Sequence, residues 1–432
     1  MIPFRFVLAD LRRLWAGSLV IVLLIGLATA LGIAVGIQER ALRLGSARAA
    51  DRFDLVVGAA GSETQLVLSS VFLQAAPLTL LPGATLKKLG EDPRVAWAAP
   101  VGFGDSYQGY PIVGTINAFL DDNGRKPLAE GRPFTKKSDA IIGALVELKA
   151  GDIIKPVHGL AGAEEHTHDE IAYTVTGRMA ATGTPWDRAI LVPIEAVWDI
   201  HGLGHAHAEG EEEHDHADHD HDGHDHAHDD HDHDHDGKPD HAPEDHLGTP
   251  WGDDIPGVPA IIVKPKSIAN AYQLRQEYRT ETTLGVFPAE VLTRLYATLG
   301  DARLALTFIA IGTQALVGAA VVLVSVVHLS QRRRQIGALR ALGAPRTAIF
   351  GVVWIELLLL IGLGVLLGLG LGLVAAKIAA SYFTQASGIV LPVTLEASDI
   401  GFAAMLMGVA AVIAIIPAWL AYRQPAAAAL RG

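Results

Sequence analysis

Apolar positions gather into four long runs, at 17–37, 304–329, 349–376 and 400–422. A helix needs ~20 apolar residues, at ~1.5 Å rise each, to cross a ~30 Å hydrocarbon core, so each run predicts a membrane span. Between the first two, residues 38–303 change pattern. Short β-rich runs bounded by Gly, Pro and Asp fall at 53–58, 94–103, 110–116, 170–179, 188–194 and 259–265. Helical pieces lie among them, including 267–279, where Ser267 supplies the cap and Ile268, Ala271, Tyr272 and Arg275 recur at helical spacing. The predicted fold class is an α-helical membrane protein with four transmembrane helices, one plus three, and a large mixed α+β domain between the first and second spans.

Charge sets the direction of threading, because Lys and Arg in short loops stay cytoplasmic. Arg5, Arg12 and Arg13 precede the first run; Arg332, Arg333, Arg334, Arg340 and Arg346 lie between the second and third; Arg423 and Arg431 follow the fourth. The segment joining the third and fourth runs carries only Lys377, Glu396 and Asp399. Both termini (1–16 at the first) and the 330–348 loop are thus expected in the cytoplasm, with 38–303 outside it. A secretory signal cleaved after Ala28-Thr29-Ala30 is the competing reading, but the apolar run continues to Ile37.

Composition adds one unusual segment. The chain has no cysteine, which excludes disulfides and thiolate metal sites. Its net charge of −13 is local in origin, since 209–246 alone holds 17 acidic residues and one lysine. Segment 201–246 carries 15 of the 19 histidines and almost nothing apolar, and such a chain cannot bury enough surface to offset its entropy, so a disordered insertion is expected. Its candidate ligands are His205, His207, His214, His216, His219, His221, His224, His226, His228, His231, His233 and His235, alternating with Asp. Imidazole and carboxylate suit Zn²⁺, Ni²⁺ or Cu²⁺. The repeats are equivalent, so they specify no fixed geometry.

The apolar pattern also runs past the membrane. Pro288 suits a first helical position, and Val291, Leu295 and Leu299 carry a face into the second run, so 288–328 reads as one helix of about 60 Å, twice the bilayer core. The first run continues likewise beyond Ile37, and two such helices form a stalk. In the 330–348 loop, Ile336, Leu339 and Leu342 share one side of a short helix that stops at Gly343, with Pro345 beyond. That Arg-rich amphipathic form suits docking in a partner's groove. Gly364, Gly368 and Gly372 are four apart, as are Ala28, Gly32 and Gly36, which makes smooth faces for helix packing. Glu356 is a lone acid inside the third run, where a charge invites a functional reading, but pairing with an arginine of the 330–348 loop or snorkelling to the interface is favoured over ion transport. The small, apolar stretch 58–70 is open to two readings, a surface touching lipid or cargo and a buried turn.

The one-plus-three plan, the large domain after the first span and RRRQIGALRALGAPRTAI followed by a Gly-rich span resemble the FtsX-like or MacB-type permeases of ABC transporters. The resemblance implies that Arg332, Arg333, Arg334, Gln335, Ile336, Leu339, Arg340, Leu342, Gly343 and Arg346 form the contact with an ATPase; Gln335 stands where a Glu is usual. It implies a non-catalytic permease subunit of a bacterial inner membrane, with 38–303 in the periplasm. No GxxxxGK[ST] loop occurs, so ATP and Mg²⁺ are expected on a partner subunit. A second permease copy, membrane lipid and a periplasmic adaptor or lipoprotein are the other implied partners, and no nucleic acid is expected. Two rival functions are a metal-handling or metal-sensing membrane protein with zinc in the His-rich segment, and a scaffold that activates a periplasmic partner. Asp187, His158, His166 and His168 form no recognisable catalytic pattern.

Overall fold

The computed structural model describes residues 12, 15–74, 76–123, 128–158, 166–167, 172–203, 247–252, 254–298, 308, 311–312, 315, 318–319, 322–323, 326 and 343–423. Helix α1 (Trp15–Ala50) is 36 residues long, about 54 Å at ~1.5 Å per residue. One stripe of it is buried at every fourth position, Ile21, Ile25, Thr29, Ile33, Ile37 and Ala41, while Leu19, Leu23, Leu27 and Leu31 are exposed. A helix with an apolar exposed face as well as an apolar buried one is built for lipid on its outer side.

The chain then builds a mixed sheet. In order come β1 (Leu55–Ala59), α2 (Glu63–Ser70), α3 (Gly83–Glu91), β2 (Val95–Tyr107), β3 (Tyr110–Thr115), α4 (Asn117–Asp121), β4 (Glu130–Gly131) and β5 (Asp139–Ile142). Short strands β6 (Ile153–Ile154), β7 (Val157–His158) and β8 (His166–Thr167) precede β9 (Tyr173–Arg178), a 3₁₀ turn (Pro185–Arg188), β10 (Ile190–Pro193) and α5 (Ile194–Ile200). After the His-rich segment follow β11 (Ala260–Pro265), α6 (Ile268–Glu277), β12 (Thr283–Val286) and α7 (Pro288–Thr298).

Strand order is β12-β1-β11-β2-β3-β10-β5-β9-β4, with the 13-residue β2 shared between the two halves. Both faces of the central strands are covered. Leu55, Val57, Ile261 and Val263 enter one core, and Val56, Ala260 and Ile262 enter the other. Burial on both sides is why these strands read as continuous apolar runs rather than alternating ones. All six expected β-rich runs contain strands. Segment 58–70 is a strand-to-helix turn into α2, capped by Ser62; its apolar Leu66 and Val67 are buried, and Ala60, Gly61, Ser62 and Gln65 are exposed.

Three described helices are long and apolar enough to cross a membrane: Trp15–Ala50, Arg346–Ser387 and Ala397–Leu420. The second of these, α8 (Arg346–Ser387), runs well beyond the expected end at 376. The third is divided, α9 (Ala397–Ile413) passing through Ala414 into α10 (Ile415–Arg423), where Pro417 removes a backbone donor. The expected span 304–329 lies mostly outside the described residues; those described between Phe308 and Val326 are helical. The continuation of α7 beyond Thr298 also lies outside them.

Candidate functional site

The membrane helices are organised by a seam of small residues. A Cβ at Gly368 would stand 2.5 Å from the Thr29 Cβ and 2.6 Å from the Gly26 carbonyl oxygen, and at Gly372 2.8 Å from the Ala30 oxygen. At Gly364 the obstacle is Ile25, whose Cβ would be 2.8 Å away. These three glycines let α8 lie backbone against backbone on α1. Gly36 is different, with nothing within 4 Å of its Cβ position. Together with Gly32 it faces a cavity of about 800 Å³ bounded by α1, α8, α9 and the helical residues Ile311, Ala315, Gly318 and Val322.

The cavity is apolar inside, with Ile25, Ile361, Val365, Phe402, Leu406 and Val409 on its wall, and charged at one end, where Glu39, Arg40, Arg43, Glu396 and Asp399 meet. Arg40 is the centre of that end. Its guanidinium lies 2.7 Å from Asp399 and 3.2 Å from Glu396, and also donates to the Thr394 carbonyl and, at 3.3 Å, to Ser398 Oγ. Asp399 in turn accepts from the Glu396 amide in a capping box that starts α9. One arginine of α1 thus holds the first turn of α9, and the pair is nearly closed to solvent, with side chains 14% and 7% exposed.

The same end of the bundle is clamped to the sheet domain. The Val390 amide donates to the Gly183 carbonyl at 3.3 Å, and Arg188 donates to the Gln385 carbonyl. Gly388, at φ +77°, caps α8, and a Cβ there would meet the Thr184 oxygen at 2.7 Å. The 182–188 loop that makes these contacts is shaped by buried Asp187, which accepts from the amides of Thr182 and Gly183 at 2.7 Å each and from the Thr182 hydroxyl at 2.6 Å. On the other side Tyr296 of α7 donates to Ser46 of α1 at 2.8 Å, and Glu63 pairs with both Arg279 and Arg294. Helices α1, α7 and α8 therefore enter the domain as fixed members.

Residues 307–426 match the family model for the FtsX-like permease C-terminal region. That segment is similar to the FtsX-like permeases. Among solved structures the chain is similar to the periplasmic region of MacB from Actinobacillus actinomycetemcomitans, with 8% identity, a TM-score of 0.30, and coverage of 56% of this chain and 92% of that one. It is also similar to the extracellular domain of the noncanonic ABC-type transporter YknZ from Gram-positive bacteria, at 11% identity, TM-score 0.28, and 54% and 98% coverage. No curated protein matches it.

Within the matched segment, Arg332, Arg333, Arg334, Gln335, Ile336, Leu339, Arg340 and Leu342 lie outside the described residues. Gly343 follows in the left-handed region at φ +92°, and Arg346 is the first residue of α8, after Pro345 at its N-cap. Glu356 is buried in α8. Trp354 is partly buried against the helix bundle and donates to the Ala411 carbonyl at 3.1 Å. The twelve histidines between His205 and His235 lie outside the described residues. Arg40 was the residue that pattern reading missed as a centre. Its signal was the first arginine past the first apolar run, with Glu396 and Asp399 the only acids between the third and fourth runs.

The electrostatics of the sheet domain are local. Burial pushes the Asp139 carboxyl up, but Arg132, at 2.6 Å, and the amides of Thr135 and Lys136 outweigh it and hold it at about 2. Glu195 is raised by burial, only partly offset by the Gly248 amide at 2.7 Å. The Tyr173 phenol is raised by burial and then by the charges of Asp105 and Asp199.

Proposed function

We propose that this chain is the permease subunit of an ABC transporter in a bacterial inner membrane, passing ATP-driven motion of a separate ATPase to a periplasmic domain for export or extraction of a substrate. The observation that carries this is α8. In an FtsX-like domain it begins at Arg346, the edge of the Arg-rich 330–348 segment, and runs about 63 Å, at ~1.5 Å per residue, to an end clamped against the 182–188 loop. A rod gripped along α1 by a glycine seam cannot easily absorb a push at one end without moving the other.

In this reading the ATPase, with its ATP and Mg²⁺, docks on the segment containing Ile336 and Leu339, both termini are cytoplasmic, and two permease copies flank the ATPase pair. The apolar cavity with Arg40 at its mouth fits an amphipathic substrate whose polar end stays at the membrane surface. The test is affinity purification from gently solubilised membranes. Wild-type protein should recover an ATPase subunit, and Ile336→Asp with Leu339→Asp should lose it. Wild-type protein that is inserted and folded but brings down no ATPase would overturn the proposal.

A further inference from the structure

The mouth of the membrane cavity holds charges of both signs, but they are not equally free. A guanidinium has five N–H donors, and Arg40 engages all of its own. Nε faces Glu396 at 3.2 Å; one terminal nitrogen reaches Ser398 Oγ at 3.3 Å and Asp399 Oδ1 at 3.4 Å; the other reaches the Thr394 carbonyl at 3.2 Å and Asp399 Oδ2 at 2.7 Å. An anion entering the cavity would meet a guanidinium already committed to the first turn of α9. Arg43, with its side chain 52% exposed, stands about one turn farther out along α1.

The carboxylates are in the opposite condition. Asp399 is closed in by Arg40 and the Glu396 amide, whereas the Glu396 side chain is 47% exposed and that of Glu39 is 33% exposed. Glu39 reaches Arg43 at only 3.8 Å, an i,i+4 contact of the kind that water weakens. A carboxylate can accept at about four lone-pair positions, so Glu39 and Glu396 both keep acceptors toward the mouth. Among the described residues there, three carboxylates stand against two guanidiniums. The mouth therefore favours a cation.

The rest of the cavity defines the body of such a ligand. Its wall follows α1 from Ile25 outward, and Ile25 to Glu39 spans ~21 Å at ~1.5 Å per residue, about two-thirds of a ~30 Å hydrocarbon core. Below the mouth Thr29 is the one polar side chain among the described lining residues. The volume, about 800 Å³, lies within the range of sites for drug-sized molecules.

We propose that this cavity binds an amphiphile with a long apolar body and an ammonium-class head, the body lying along α1 and α9 and the head held by Glu39 and Glu396. It rests on the transporter reading in naming the class of cargo, but binding itself requires no ATPase. A free alkylammonium compound and a membrane lipid with an ammonium head share this chemistry.

Photolabelling tests it in the full chain, held in a maltoside detergent whose head is uncharged. The probes are a long-chain alkylamine carrying a diazirine and the carboxylate of equal length, each competed with its unlabelled form. The amine should label α1 and α9 at least fivefold more than the carboxylate. Glu39→Gln should weaken the amine about fivefold, the upper range for a partly exposed charge pair, and should not weaken the carboxylate. Gly36→Leu, which enters the cavity where nothing lies within 4 Å of the Cβ position, should abolish competed labelling by the amine without lowering the thermal midpoint. Equal or preferred labelling by the carboxylate, no competed labelling at all, or amine labelling indifferent to either substitution overturns the proposal. If a variant does not fold, the ratio of amine to carboxylate in the wild type decides. Added phosphatidylethanolamine separates the two sources: displacement of the amine identifies a lipid, retention a free amphiphile, and both uphold the site. Ammonium binding without recovery of an ATPase would overturn the transporter reading and leave this site standing.

Discussion

Gly368 and Gly370 sit two residues apart on α8 and differ only in what lies beside them. The first meets Thr29 and a Gly26 carbonyl oxygen, whereas nothing stands within 4 Å of the second. Gly368→Val should cost about 2–3 kcal/mol, the upper range for overpacking, because a backbone oxygen cannot turn aside. Thermal unfolding in detergent should fall by several degrees, and Gly370→Val should leave it unmoved. Asp139 gives a prediction in pH. Its folded pKa of about 2 lies below the unfolded 3.8, so its stabilisation is present above pH ~4 and lost as pH falls from there toward 2. Asp139→Asn should therefore cost of order 1–2 kcal/mol at pH 7, with the gap to wild type closing near pH 2. At this scale the sequence was partly legible. The four-residue spacing of Gly364, Gly368 and Gly372 is visible in it, but which neighbour each meets, and that Gly36 faces a cavity instead, depends on how α1 is rotated against α8.

Among the elements, α9 owes its position to an arginine on α1. Removing one partner of a nearly buried pair leaves a charge without compensation, and Arg40→Gln should cost about 3 kcal/mol, read as a lower midpoint in detergent. Asp399→Asn added to it should recover part of the loss, since the orphaned carboxylate is gone, though the capping box is weakened. Helix type and approximate extent were legible from apolar periodicity for α1 and α6, the latter with its Ser267 cap accepting from Asn270. The end of α8 was not. After Ala376 the composition turns polar, as it does where a helix leaves the bilayer, and only contacts of Gln385, Gly388 and Val390 with the domain show why the helix continues. Strands β5 and β12 were missed because each is four residues long and takes its stability from neighbours rather than from its own sequence.

For the whole molecule, the sheet domain and the membrane helices form one connected body through α1, α7 and α8. Apolar run lengths pointed to the three long helices that the described residues contain, because membrane thickness imposes a length that sequence must obey. Contacts between the domain and the helix ends could not be read, since they pair residues such as Arg188 and Gln385 that no periodicity relates. The central claim is that movement at the 330–348 segment reaches that junction. Hydrogen–deuterium exchange on the complex with its ATPase, nucleotide-free against vanadate-trapped, measures this directly. Changed protection is predicted at 182–188 and 384–391 as well as at 330–348, and all of it should disappear in the Ile336→Asp, Leu339→Asp variant. A change confined to 330–348, with both junction segments untouched, would contradict the account.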